Sequence, residues 1–145
     1  MLKNLSKDIH ANCQEIIATL EVLGKIDLTY AKARYSVALN ARKPILNKEG
    51  RVNMINAYHP LLLFLQGVSK DVVPINIHLN KGCNTLIITG ANTGGKTVAL
   101  KTAGVLTLMV NAGMHICVAD HSEVAIFDAI FADIGDQQAK EQDLS

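Results

Sequence analysis

Residues 90–97 read Gly-Ala-Asn-Thr-Gly-Gly-Lys-Thr. The stretch satisfies G-x-x-x-x-G-K-[ST] at every fixed position. The apolar run Leu86-Ile87-Ile88-Thr89 leads into it, and a helix-compatible run from Val98 to Asn111 follows. Strand, glycine-rich loop and helix, in that order, form the context in which this pattern binds phosphate. Gly90, Gly94 and Gly95 allow the backbone to curl so that successive N–H groups converge on phosphate oxygens. The N-terminus of the following helix adds partial positive charge. Lys96 is placed to reach the β and γ phosphates, and the Thr97 hydroxyl to ligate Mg²⁺. A glycine-rich turn with an incidental lysine is the competing interpretation, and the strand and helix signals on either side disfavour it.

The chain has 145 residues, of which 49% are hydrophobic and only 4% aromatic. That is enough for one domain with a core filled by aliphatic side chains. The net charge of +1 creates no overall field to draw in nucleic acid. Charge is unevenly spread, however. Residues 31–51 carry Lys32, Arg34, Arg42, Lys43, Lys48 and Arg51 against Glu49 alone, a cluster that reads as a solvated face in preference to a nucleic-acid surface. Cys13, Cys83 and Cys117 are odd in number and far apart, so neither a zinc site nor a disulfide framework is suggested. They read as buried thiols in a reducing compartment. With no secretory h-region and no apolar run of membrane-spanning length, a cytoplasmic protein is expected.

Three zones follow one another along the chain. In the first, Leu5, Ile9, Cys13, Ile16, Ile17, Leu20 and Leu23 recur at helical steps. Gly24 then punctuates, and Asp27 can cap a second helix running to Arg42. An N-terminal helical hairpin over residues 1–43 is therefore expected, or else the ends of longer helices. The second zone, Pro44 to about His78, is strand-prone around Val52–Ile55 and Val72–Ile77, with Pro74 marking an edge or a bulge. In the third zone the sequence predicts strands at 85–89, 115–119, 124–127 and 129–132. It also predicts a helix over 97–112, closed by Gly113. The fold class is α/β, with residues 44–145 as one unit.

Further motifs surround the phosphate loop. Tyr58-His59-Pro60-Leu61-Leu62 lies upstream and Ala132-Asp133-Ile134-Gly135-Asp136 downstream. Together with the loop these resemble the MutS family of DNA mismatch-repair ATPases. Thr93-Gly94-Gly95-Lys96-Thr97, Lys101-Thr102 and the stretch Ile26–Arg34 look most like its MutS-two branch, which is associated with recombination intermediates and stalled ribosomes. The resemblance implies a P-loop NTPase of ABC type, present as a partial domain. Residues 1–43 would then be the remnant of the lever helices and residues 44–145 the first half of the ATPase domain. It implies ATP or ADP with Mg²⁺, held by Gly90, Ala91, Asn92, Thr93, Gly94, Gly95, Lys96, Thr97 and Val98, with the metal at Thr97. His59, Val72 and Val73 fall where the family holds the adenine. DNA or a ribosome would be contacted through further domains of a homodimeric parent, with no membrane involved.

The sequence departs from the family pattern in two places. Ala91 stands where the family usually has Pro, which loosens a loop that Pro would preset. Gln142-Asp143-Leu144-Ser145 puts a carboxylate where the trans-acting signature usually has serine, and an acid facing a partner's γ-phosphate repels it. Phosphoryl transfer also needs an acidic metal partner and a water-orienting residue. No apolar run ending in Asp-Glu occurs in these 145 residues, and Asp120 and Asp133 read as turn or cap residues. No complete catalytic set is therefore expected in this chain. The leading expectation is the ATP-binding portion of a MutS-type ATPase that does not hydrolyse ATP alone. The alternatives are a truncated, non-catalytic scaffold retaining a P-loop, and a P-loop kinase, for which an acceptor site and an Arg-rich lid are not evident.

Overall fold

The computed structural model describes residues 2–66, 72–83, 85–91 and 94–134. Helix α1 (Leu2–Ala11) runs into α2 (Cys13–Ala38), then come β1 (Ile45–Asn47), β2 (Val52–Ala57), α3 (Pro60–Gln66), β3 (Ile75–Leu79), α4 (Lys96–Asn111) and β4 (Glu123–Ala125). The architecture is mixed α/β around a four-stranded sheet of order β1-β4-β2-β3. β1 lies parallel to β4, whereas β2 is antiparallel to both β4 and β3. Met54 faces Ile77, and Val52 faces both Leu79 and Val124. Alternation along β2 buries Val52 and Met54 on one face, as a half-buried strand requires.

That face meets α4. Thr102, Leu106 and Val110 are buried at four-residue spacing, the stripe a helix presents to a core. Leu106, Ile116 and Val124 are fully enclosed with Met54 in the main cluster. A second cluster joins Leu39 and Ala41, just past α2, to Leu63 of α3 and Cys117. Buried Ser122 is satisfied: its hydroxyl donates to Ala119 O at 2.7 Å and accepts from Ile55 N–H at 3.1 Å.

The first zone corrects the expected hairpin. α2 continues from Cys13 to Ala38, through both Gly24 and Asp27. One glycine in a helix interior costs ~1 kcal/mol relative to alanine, too little to stop a helix once propagation is under way. The interruption falls instead at Asn12, with φ −106° and ψ 14°. Its side-chain amide donates to Asp8 O at 2.8 Å, the local competition with helical bonding that Asn favours.

Several expected strands are also corrected. Residues 85–89 enter no ladder among the described residues, and Leu86, Ile87 and Ile88 are exposed at 45%, 80% and 38%. Residues 115–119 form an isolated antiparallel bridge between Ile116 and Arg42. Cys117 O also accepts from Tyr58 N–H, and Ala119 N–H donates to Ile55 O. This segment is thus buried and hydrogen-bonded without forming a regular strand. The expected 124–127 strand is β4, shortened to Glu123–Ala125, and 129–132 is not a strand. β3 begins just after Pro74 and is the sheet's edge, with a bulge opposite it between Met54 and Ala57.

Candidate functional site

The apolar face of α4 fixes that helix against the sheet, and its first residue is Lys96. Gly95 caps it in the left-handed region, at φ 80°, with no side-chain hydrogen bond to the first turn. A helix start is where backbone N–H groups can meet an anion. Any residue other than glycine would be strained at Gly95. At Gly94, a Cβ would sit 3.1 Å from Ala91 O. Gly94 N–H donates to that same oxygen at 2.9 Å, closing the turn.

Lys96 Nζ donates to Gly90 O at 2.5 Å. Its ammonium is thus folded across the mouth of the loop, within reach of a group seated at the α4 N-terminus. Thr97 and Val98 are exposed beside it. Asn92 and Thr93 lie outside the described residues. The groups present fit a phosphate: a helix start, a left-handed glycine and a lysine at one position. Thr97 offers the single hydroxyl that a Mg²⁺ shared with phosphates requires.

The expected adenine residues divide. Val72 and Val73 line a cleft of about 650 Å³, together with Leu39, Tyr58, Arg42 and Asp120. Val72 is half-buried and Val73 is 81% exposed. His59 is not in that lining. Burial pushes its imidazole below the usual histidine range, and the Lys101 ammonium lowers it further. No described residue pairs with its buried Nδ1. It therefore faces α4 as a neutral ring. Sequence reasoning overlooked Arg42, Tyr58 and Asp120 because distant segments bring them together. The left-handed Asn40 and Asn56, at φ 48° and 47°, sit at this same cleft. An Asn beside a strand or helix end was the one available signal.

A second set of contacts fastens α2 to the far end of α4. Lys32 Nζ donates to Ala112 O at 2.5 Å, and Ser36 Oγ meets His115 Nδ1 at 2.7 Å. The Tyr35 hydroxyl lies 3.7 Å from Met109 Sδ and 3.5 Å from Cys117 Sγ.

Fold and loop together give a mixed α/β chain around a four-stranded sheet, with a glycine-rich loop at the start of α4. Residues 86–145 match MutS domain V, an ATPase domain of the P-loop NTPase type. Over its whole length the chain is 50% identical to the endonuclease MutS2 of Finegoldia magna, 46% to that of Caldanaerobacter subterraneus subsp. tengcongensis and 47% to that of Bacillus velezensis. It spans 18% of the length of each. Over its whole length the chain is thus similar to part of these MutS2 proteins, and its residues 86–145 are similar to MutS domain V.

Proposed function

We propose that this chain is the nucleotide-binding portion of a MutS-type DNA-binding ATPase, and that it binds ATP or ADP with Mg²⁺ without turning ATP over alone. The observation that carries this is the start of α4, with left-handed Gly95 before it and the Lys96 ammonium on the Gly90 carbonyl. In this reading the amides from Gly90 to Val98, including those of Ala91, Asn92, Thr93 and Gly94, surround the phosphates. Lys96 leaves the Gly90 carbonyl for the β and γ oxygens, and Thr97 ligates the metal. Bound Mg²⁺ supplies charge neutralisation between the phosphates.

Adenine would rest against Val72 and Val73, where the apolar cleft supports the assignment. His59, a neutral ring just before α3, would be a further neighbour of the base. Residues 1–43 would be the remnant of the lever helices and 44–145 the first part of the ATPase domain. DNA or a ribosome would be engaged through other domains of a cytoplasmic homodimer. The relatives' printed name, an endonuclease of MutS2 type, supports the nucleic-acid part of this reading.

Titration calorimetry with ATP and Mg²⁺ tests the assignment. Lys96→Ala is expected to weaken binding by at least about tenfold, the loss of ~1.4 kcal/mol. Equal heats from both proteins would remove the loop from the site. A phosphate-release assay is expected to show no turnover above background. Turnover abolished by Lys96→Ala would show that an acid within the chain completes the catalytic set.

A further inference from the structure

Two asparagines among the described residues adopt left-handed backbone, Asn40 at φ 48° and Asn56 at φ 47°, and both line the cleft of about 650 Å³. A third described non-glycine residue of this kind, His121, directly follows Asp120, which lines the cleft too. Such backbone concentrates at ligand clamps. Glycine adopts it at no steric cost, so what asparagine adds at these positions is its carboxamide. The backbone of each has its own role. Asn40 N–H donates to Val37 O at 3.3 Å where α2 ends. Asn56 lies in the bulge of β2, and its N–H donates to Asn76 Oδ1 at 2.8 Å. Neither side-chain amide makes a hydrogen bond among the described residues.

The rest of the lining suits a flat, uncharged heterocycle. Leu39, Leu63 and Val72 supply apolar wall, and half-buried Tyr58 adds an aromatic ring. The Arg42 guanidinium and the Asp120 carboxylate stand 3.8 Å apart, so their charges offset each other. A few polar groups on an apolar lining fix the orientation of a small ligand. We propose that Asn40 and Asn56 are specificity-determining residues, whose carboxamides select adenine over guanine in the bound nucleotide.

This selection rests on the nucleotide-binding reading above and supplies what the loop lacks. Triphosphate and metal are common to ATP and GTP, so Lys96 and Thr97 have no means of telling the two apart. A carboxamide carries an acceptor and a donor side by side. Adenine presents the N6 amino group as donor next to N7 as acceptor, so one amide makes both bonds at once. Guanine presents O6 and N7, both acceptors. The same amide then keeps one bond, and its carbonyl oxygen faces O6. A bidentate contact of this kind discriminates against the wrong base by ~5- to 150-fold.

Titration calorimetry of the whole chain with Mg²⁺ and ATP, GTP or tripolyphosphate tests the asparagines apart from the loop. The wild type is expected to bind ATP at least about tenfold more tightly than GTP, and more tightly than tripolyphosphate. Asn40→Gly with Asn56→Gly suits both left-handed backbones, and should leave the thermal melt in place and tripolyphosphate binding unchanged. It should bring ATP and GTP to within about threefold of each other. Asn40→Asp with Asn56→Asp keeps side-chain size but removes the donor, and should narrow the ratio in the same way where the glycine pair fails to fold. Equal affinity of the wild type for ATP and GTP overturns the proposal. ATP binding no tighter than that of tripolyphosphate overturns it as well, as does a folded double variant that keeps the wild-type ratio. Tripolyphosphate binding indifferent to Lys96→Ala removes the loop from the phosphate site, and the ATP to GTP ratio still decides the asparagines.

Discussion

At Cys117 and Tyr35 two weak acids share one enclosed contact. Burial raises the Cys117 thiol above its usual range, and the Tyr35 hydroxyl offsets only part of that. The Tyr35 phenol is itself pushed well up, first by burial and then by Cys117. Neither group is ionised near neutrality, and a neutral thiol is a poor nucleophile. Cys13 and Cys83 are exposed. Iodoacetamide at mildly alkaline pH should therefore label those two first and Cys117 only on unfolding, as mass spectrometry of peptides will show. The expectation that all three thiols are buried is thus corrected at two of them. Apolar spacing places Cys13 on a helix face, but no described residue covers that face.

His59 and Glu123 each set a pH limit on the acidic side. Burial, then Lys101, lowers the His59 imidazole. An unfolded chain therefore takes up a proton there more readily than the folded one. Its contribution to stability is whole above pH 6.5, the unfolded value, and erodes as pH falls below it. The hydrogen bonds and charge of Arg51, at 2.8 and 3.2 Å, lower the Glu123 carboxyl. Its contribution persists above the unfolded value of 4.5 and fades below it. Urea midpoints measured downward from pH 7.5 should fall in two stages. His59→Asn should remove the first and leave the second.

Helices α2 and α4 behave as elements in different ways. α4 is locked by its core stripe, and Leu106 is fully enclosed. Leu106→Ala should destabilise the body by ~2–5 kcal/mol, read from the urea midpoint. α2 has open space at Gly24, where an added Cβ meets nothing within 4 Å. Gly24→Ala should stabilise α2 by ~0.5–1 kcal/mol, visible as greater helicity on warming. Local signals described α4 well: the glycine loop opened it, apolar spacing carried it, and Gly113, at φ 69°, closed it. The strands were less readable. β1 depends on pairing with β4, 78 residues away, and no local pattern at Ile45–Asn47 announces that. Conversely, Leu86–Ile88 has the composition of a strand, but composition alone does not supply a neighbour to pair with. The glycine-rich loop could be singled out as a candidate site because its pattern lies within eight consecutive residues. The cleft at Val72 was only half readable because Arg42, Tyr58 and Asp120 converge from separate elements.

Among the described residues, the enclosed ones are confined to the stretch from Leu39 to Ala125. Amide exchange should follow that division. The ladders of β2 with β3 and the α4 stripe should be slowest, and the α1 amides fastest. A chain lacking residues 1–30 should keep the urea midpoint of the body, because those residues bury nothing against it. The fastening at Lys32, Tyr35 and Ser36 has a consequence for how such a sequence can change. Substitutions among Leu106, Ile116 and Val124 must fit one another in a closed space, so they are tolerated only in compensating sets. Substitutions along the first thirty residues meet no such jury within the chain. The projecting helix and the phosphate-loop body can accordingly drift at separate rates, each held only by its own requirement, with a few side chains at the joint as the shared constraint.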